Sequence, residues 1–186
     1  MQYIKKSELY QRINLLENAQ DKFMVLAIYH GINGKNFKDL IELKESDIDM
    51  DKKVIKNKNN IVHMDEVFFK VTKEVLEQKV YYKKFNAEFS NISYEFNSNS
   101  KYVLKSKPSK LNNFGINAIT INSMYPRYNG SIELMKLEIS AVNLKNSKIV
   151  DDLNNIKSSW KLKEVREFFK KHFVDASAQK IFTMLK

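Results

Sequence analysis

The chain of 186 residues contains no cysteine and only four glycines and two prolines. Without cysteine it can form no disulfide, no thiolate metal site and no cysteine nucleophile, as is typical of proteins of the reducing cytoplasm. The scarcity of glycine and proline predicts a helix-rich fold with few tight turns. No run of about 18 apolar residues is free of charge, and no signal-peptide pattern is present. We therefore expect a soluble intracellular protein with no membrane segment.

Several patterns that mark enzymatic chemistry are also missing. The sequence contains no GxGxxG, GxxxxGK[ST] or GxSxG motif, so neither a nucleotide-cradling loop nor a nucleophile elbow is predicted. The three histidines lie far apart and cannot form a metal site on one helix. We interpret them as surface or core-edge residues: His30, His63 and His172. No metal and no cofactor are predicted.

Positive charge is present in excess. The chain has 32 Lys and Arg against 22 Asp and Glu, a formal net charge of +10, and the basic residues are interleaved with Asn, Ser and Tyr along its whole length. Such charge attracts polyanions, and these polar side chains are suited to contacts with phosphates and base edges. The predicted partner is double-stranded DNA. A lysine-rich surface that is merely solvated is the alternative that composition leaves open.

The spacing of apolar residues predicts helices along most of the first half of the chain. Two adjoining core helices precede Gly31, and a short helix is expected over residues 38–43. Two β-branched runs, around Val54 and Ile61, are joined by an Asn/Lys-rich turn and predict a hairpin. Asp65 is then expected to cap a long amphipathic helix in the segment DEVFFKVTKEVLEQKVYYKK.

The second half is predicted to begin with an Asn- and Ser-rich loop or excursion, FNAEFSNISYEFNSNSK, before a short strand at residues 102–104. Helices are expected from Asn117 until Pro126 interferes, from about Ser140, and in the segment WKLKEVREFFKKHF. The predicted fold is mainly α with a small antiparallel β-sheet, in a single domain over residues 1–186.

The segment LAIYHGINGKNFKDLIELKESDIDMDKKVI resembles the start of the tyrosine recombinase (phage integrase) catalytic domain. In that family a buried helix ends in a Thr-Gly-Leu-Arg turn, followed by a Ser-Glu-Leu helix and an Asp-Ile-Asp step before a hairpin. Here His30-Gly31-Ile32 resembles the turn, Lys38-Asp39-Leu40 the helix start and Asp47-Ile48-Asp49 the entry to the hairpin. The segment is three residues longer than the family pattern. The first catalytic Arg position consequently falls on Asn36, with Lys35 as the alternative.

Two further segments extend the resemblance to the C-terminus. ISAVNLKNSKIVDDL resembles the family stretch Thr-Pro-His-x-Leu-Arg-His-Thr, with Ser140 at the Thr, Val142 at the His and Lys145 at the second Arg. SAQKIFTML resembles the segment of the tyrosine nucleophile, whose place is taken by Phe182. Valine cannot transfer a proton, and lysine cannot form the planar fork of arginine. Two other family positions have candidate matches here: Lys56 or Lys58 for the hairpin lysine, and His172, with a one-residue slip, for a further His or Trp.

The resemblance implies a tyrosine-recombinase-like catalytic domain without the family's N-terminal core-binding domain. Because the catalytic Arg, His and Tyr positions are replaced, we predict that the chain is not an enzyme. We predict instead a non-catalytic DNA-binding protein, a transcriptional repressor of phage or prophage origin in the bacterial cytoplasm. It is similar in kind to the degenerate integrase-like lysogeny repressor of SPbeta-type Bacillus phages. The replacing residues are Asn36, Val142, Lys145 and Phe182.

The predicted DNA contacts, most of them to phosphate, are Lys35, Asn36, Lys38, Lys56, Lys58, Arg127, Lys145 and Lys148. Two other hypotheses remain open. The first is an active recombinase fragment whose nucleophile is Tyr125 or Tyr128. The second is a protein-interaction module that regulates another integrase or repressor. A protein or peptide regulator is a further candidate partner.

Overall fold

The computed structural model describes residues 3–58, 60–85, 88–172, 174 and 176–185. Within them the chain is mainly helical and carries small antiparallel sheets. The helices are α1 (Lys6–Arg12), α2 (Ala19–Tyr29), α3 (Lys38–Ile41), α4 (Glu66–Glu77), α5 (Ile121–Leu134), α6 (Ala141–Ile156), α7 (Leu162–His172) and α8 (Ala178–Met184). The strands are β1 (Ile48–Asp49), β2 (Val54–Asn57), β3 (Asn60–His63), β4 (Val80–Phe85) and β5 (Glu88–Glu95).

Helix α2 forms the centre of the main core. All of its residues except Lys22 are buried, and α4, α5 and α6 pack against it. A helix that is apolar on nearly every side must be enclosed by other elements, as the sequence DKFMVLAIYH predicts. None of the helices in the described ranges is both long and apolar enough to cross a membrane.

The predicted hairpin is present as part of a three-stranded sheet. Strand β2 pairs antiparallel with both β1 and β3, with Val54 opposite His63 and Asn57 opposite Asn60. Residue 59 lies outside the described residues. Val54 and Ile55 are buried, whereas Ile61 and His63 on β3 are exposed. The hairpin is thus anchored through β2 and leaves β3 at the surface.

The helix predicted over residues 65–84 is shorter than expected. Asp65 caps α4 by accepting a hydrogen bond from the Phe68 amide at 3.0 Å. The helix nevertheless ends at Glu77, and the chain continues into β4. The helix prediction beyond Glu77 was wrong, as was the loop predicted where β5 forms. Valine and tyrosine at residues 80–82 favour a strand, and Tyr81 stacks on Tyr94 across the ribbon at 5.2 Å. The predicted loop also includes residues 86–87, which lie outside the described residues.

Helix α5 continues through Pro126, where the sequence predicted its end. Its N-cap residue is Thr120 rather than Asn117, and the helix extends from Ile121 to Leu134. Proline removes one helical hydrogen bond here, to the carbonyl of Asn122, near the exposed start of the helix. The burial of the apolar face of α5 outweighs that loss. The short strand predicted at residues 102–104 is reduced to a single bridge between Tyr102 and Lys44.

The C-terminal helices form a second apolar cluster. Ser140 caps α6 by accepting a hydrogen bond from the Asn143 amide at 3.2 Å, close to the predicted start. The second half of α6 packs with α7 and α8 around buried side chains such as Leu153 and Ile181. Phe182 packs against the same cluster.

Candidate functional site

A cleft of about 580 Å³ lies where the end of α2 and the first turns of α6 meet strand β3. We call it the hairpin cleft. It contains two of the predicted DNA contacts, Lys145 and Lys148, which α6 presents one turn apart. Its lining residues are Lys6, Tyr29, His30, Gly31, Ile61, Val62, His63, Met64, Asp65, Lys145, Lys148, Ile149 and Asp152.

The cleft carries an excess of positive charge. Three lysines line it, against the carboxylates of Asp65 and Asp152. Lys148 Nζ lies 2.5 Å from Asp152 Oδ1, one turn further along α6, and Lys6 Nζ lies 2.9 Å from Asp65 Oδ2. Partly exposed pairs of this kind contribute little stability. A polyanion can therefore compete with the carboxylates for these lysines.

Asp65 is the electrostatic centre of one wall. Its carboxylate accepts hydrogen bonds from the Tyr10 hydroxyl and from the Phe68 amide, besides the ion pair with Lys6. Burial alone would raise the pKa of Asp65, but the donors outweigh burial and lower the pKa to about 2. Burial and the hydrogen bond to Asp65 also raise the pKa of Tyr10. Asp65 therefore stays ionised at neutral pH, and its negative charge remains next to Lys6.

His30 completes this network at the floor of the cleft. Its side chain is 5% exposed and its ring stacks on Phe68 at 4.7 Å. Nε2 lies 3.4 Å from the Tyr10 hydroxyl oxygen. Since Tyr10 gives its only proton to Asp65, Nε2 must carry the hydrogen and donate it to Tyr10. Burial lowers the pKa of His30 to about 4, although the negative charge of Asp65 acts to raise it. The ring is therefore neutral at pH 7.

We expect the chain to lose stability as pH falls from about 6.5 to 4. In the unfolded chain His30 takes up a proton near pH 6.5. In the folded chain the pKa of His30 is about 4, so the ring stays neutral until the pH approaches that value. The unfolded state therefore binds more protons in that window, and the free energy of unfolding decreases by about 3 kcal/mol across it. Urea unfolding at a series of pH values measures this slope. His30→Gln should flatten it, and an unchanged slope in that variant would contradict the assignment.

A second group of predicted contacts surrounds the hairpin turn. Lys35, Asn36 and Lys38 are exposed around the start of α3, and Lys56 and Lys58 are exposed on β2 and its turn. The Lys58 ammonium pairs with the Asp39 carboxylate of α3. This hydrogen bond raises the pKa of Lys58. The ion pair joins the hairpin turn to α3, so the five predicted residues lie on adjoining surfaces. Strand β2 also pairs with β3, which connects this group to the hairpin cleft.

The loop before α3 depends on one glycine. A Cβ on Gly34 would lie 2.6 Å from Asp39 Cγ, and its φ of 62° is unfavourable for other residues. Asn36 and Phe37 also adopt positive φ, at 55° and 59°. The buried Phe37 ring, edge-on to Tyr125 at 4.9 Å, holds this strained segment in place. As a result Asn36 is displayed at the surface, with its Oδ1 within 3.5 Å of the Tyr125 hydroxyl.

Arg127 joins neither group. Its side chain is 8% exposed, its Nε donates to Asp21 Oδ1 at 2.6 Å, and its guanidinium lies over the Tyr81 ring at 4.6 Å. Although burial opposes the charge, Asp21 raises the pKa of Arg127. The basic segment around Arg127 suggested a surface contact, but α5 turns this side chain inward to a buried carboxylate. We therefore leave it out of the candidate interface.

Outside α6, sequence reasoning missed the four charged or imidazole side chains that line the cleft: Lys6, His30, His63 and Asp65. Asp65 was recognised only as a helix cap, and His30 only as a surface or core-edge residue. They come from α1, the end of α2, β3 and the start of α4. No spacing within a single element could have indicated the cluster.

The fold defines the class of protein. The crystal structure of XerA recombinase matches with a TM-score of 0.59 and 13% sequence identity, over 94% of this chain and 64% of that chain. At this identity the similarity shows the fold alone, which is that of a tyrosine recombinase, as the sequence predicted. No curated protein matches the chain.

A family model assigns the chain to a particular family within this class. The model described as MrpR, C-terminal catalytic domain, matches residues 3–182. The chain belongs to this family.

This assignment contradicts the prediction that the chain is not an enzyme, because the family is described as a catalytic domain and the fold is that of a recombinase. The prediction rested on the residues at four positions: Asn36, Val142, Lys145 and Phe182. Catalytic groups are defined by their geometry and roles rather than by sequence position. The residue types at these positions therefore do not establish inactivity.

Proposed function

We propose that the chain binds double-stranded DNA through the hairpin cleft and the lysines of the hairpin and α3, as a transcriptional repressor of phage or prophage origin. The observation that carries this proposal is the cleft itself. It gathers Lys145 and Lys148 of α6, Lys6 of α1 and strand β3 on one surface. The formal net charge of +10 supports it further, because a basic protein gains affinity for DNA by releasing counterions.

The cleft and the hairpin would have different parts in binding. Lys148 is held by the exposed carboxylate of Asp152, which a DNA phosphate can replace. Lys56 and Lys58 would extend the phosphate contacts along the hairpin. Asn36, displayed beside Tyr125, is suited to reading an adenine edge.

The repressor role rests on the resemblance to integrase-like lysogeny repressors of SPbeta-type phages. A repressor of this kind would act in the bacterial cytoplasm. A protein or peptide regulator would release it from its DNA operator. We continue to treat residues 1–186 as one domain.

The affinity for a genomic fragment enriched from the host should fall steeply with salt. Each neutralised phosphate contributes a slope of about −0.9 to the plot of log K against log salt concentration. With the lysines proposed here, we expect a slope of roughly −4 to −6. Gel shifts or fluorescence anisotropy between low and physiological salt measure it. An affinity that hardly changes with salt would favour the protein-interaction module instead.

A second candidate function is DNA strand cleavage with Tyr125 as the nucleophile. The specific observation is that Tyr125 is exposed and that its hydroxyl lies within 3.5 Å of Oδ1 of Asn36, where the first catalytic position was predicted. The phenolic oxygen would attack phosphorus and lose its proton, and the bond to a deoxyribose oxygen would break as that oxygen gains a proton. Tyr128 is unsuited to this role because it is buried and donates its hydroxyl to the Ile139 carbonyl at 3.0 Å.

A suicide DNA substrate tests cleavage directly. If Tyr125 is the nucleophile, incubation should give a covalent protein–DNA adduct that survives denaturing electrophoresis and is absent from the Tyr125→Phe variant. Tyr82→Phe is a matched control, since Tyr82 is 47% exposed and Tyr125 is 44% exposed. An adduct that persists in Tyr125→Phe would exclude this nucleophile.

A further inference from the structure

A second cavity, of about 410 Å³, lies at the start of α5 and shares no lining residue with the hairpin cleft. We call it the α5 cavity. Four of its lining side chains are cationic, and no Asp or Glu lines it among the residues that the structure describes. The four cations are Lys83, Lys105, Lys107 and Arg127.

The deepest cation of the α5 cavity has unused hydrogen-bonding capacity. Arg127 is more than nine-tenths buried and donates to Asp21 through Nε. Its Nη2 is also buried, and it has no hydrogen-bond partner among the residues that the structure describes. A buried charged donor without a partner carries a substantial desolvation cost. Guanidinium nitrogens are also the donors best matched to phosphate oxygens.

Further donors lie beside Arg127. Thr120, the N-cap residue of α5, makes no capping hydrogen bond through its side chain, and the first turn contains no acidic residue. The first amides of a helix lack intrahelical partners and favour a negative charge. The Thr120 and Ser123 hydroxyl oxygens are 3.2 Å apart. One hydroxyl hydrogen lies between them, so the other remains able to donate to a ligand.

Two of the cavity lysines differ in burial and in their ion pairs. Lys105 is paired with Glu45 at 3.0 Å, so its charge is partly balanced from outside the cavity. Lys107 is exposed at the rim. The stacked rings of Tyr81 and Tyr94 also line the cavity. The volume exceeds that of a single ion and falls within the usual range of small-ligand pockets.

We propose that the α5 cavity binds a phosphate group, held by the buried guanidinium of Arg127, the start of α5 and the rim lysine Lys107. This site goes beyond the proposed function, which rests on the hairpin cleft. The phosphate group can belong to a free phosphorylated molecule or to the DNA backbone. Both sources present the same chemistry to these donors.

Inorganic phosphate is the probe for this site. It is titrated into the full chain at constant ionic strength, and the Arg127 Nε–H signal, assigned by its loss in Arg127→Lys, is followed by nuclear magnetic resonance together with the Ser123 amide. Both signals should shift and saturate, whereas an equivalent chloride titration should not saturate. Shifts confined to the Lys145 and Lys148 amides would overturn the site while agreeing with DNA binding at the hairpin cleft.

A double variant, Lys107→Gln with Ser123→Ala, keeps the pair between Arg127 and Asp21 and should therefore keep the fold. It should bind phosphate at least tenfold more weakly than the wild type. Lys163→Gln, which changes an exposed side chain of α7, is the control and should bind normally. Equal affinity in the double variant and the control would overturn the proposal.

A short DNA duplex then distinguishes the two sources. If the group belongs to the DNA backbone, phosphate competes with the duplex and the double variant also loses duplex affinity. If the ligand is a free phosphorylated molecule, the double variant loses phosphate binding but retains duplex binding.

Discussion

Changing Lys145 and Lys148 together to glutamate is expected to abolish binding to the enriched DNA fragment. Both side chains line the hairpin cleft from the same face of α6, and their replacement puts two carboxylates where phosphates are proposed to lie. A hydrogen bond to a charged group contributes about 1.5–3 kcal/mol, so we expect an affinity loss of roughly 100-fold or more. The salt dependence should also weaken, by about one unit of slope for each lysine removed.

The double variant Lys163→Glu with Lys170→Glu provides the matched control. Each pair of replacements changes the charge by −4, from +10 to +6. Lys163 pairs with Glu167 one turn away, as Lys148 does with Asp152, so both variants create the same repulsion within a helix. An equal loss in the two variants would mean that net charge, not the cleft, governs binding. Unchanged binding in Lys145→Glu with Lys148→Glu would locate the interface elsewhere.

Features with a local cause could be predicted from sequence. The burial of α2 follows from its continuous apolar run, and the starts of α4 and α6 follow from the capping side chains Asp65 and Ser140. The hairpin follows from two β-branched runs around a polar turn. Strands β4 and β5 were missed because their pairing depends on contacts across the ribbon, such as Tyr81 on Tyr94, which no local pattern reveals.

The candidate site was predictable only in part. The lysines of α6 and the hairpin could be chosen from their residue types, but their convergence with Lys6 and His30 depends on how α1, α2 and β3 pack. Arg127 shows the opposite case. It resembles a surface cation in sequence, yet its partner Asp21 is 106 positions away. Whether a cation faces solvent or a buried carboxylate is decided by tertiary packing.

Breaking the buried pair between Asp21 and Arg127 is expected to be strongly destabilising. The Asp21 carboxylate also accepts hydrogen bonds from the Tyr81 hydroxyl and from Asn18 Nδ2, so it joins α2 to α5 and to the β4–β5 ribbon. Asp21→Leu leaves the guanidinium buried without a counter-charge, which typically costs about 3–5 kcal/mol. Urea unfolding monitored by circular dichroism measures the change. Glu167→Ala, which removes an exposed pair, should leave the free energy of unfolding nearly unchanged.

The double variant Asp21→Leu with Arg127→Met distinguishes the contribution of the ion pair to stability from the effect of changed packing. Removing both charges avoids the isolated buried guanidinium, and apolar replacements of buried ion pairs are often close to neutral. We therefore expect the double variant to be more stable than Asp21→Leu alone, so that the two changes are far from additive. Additive losses would show that Arg127 does not depend on Asp21 for its charge. In that case the unpartnered Nη2, rather than the ion pair, would dominate the energetics of this side chain.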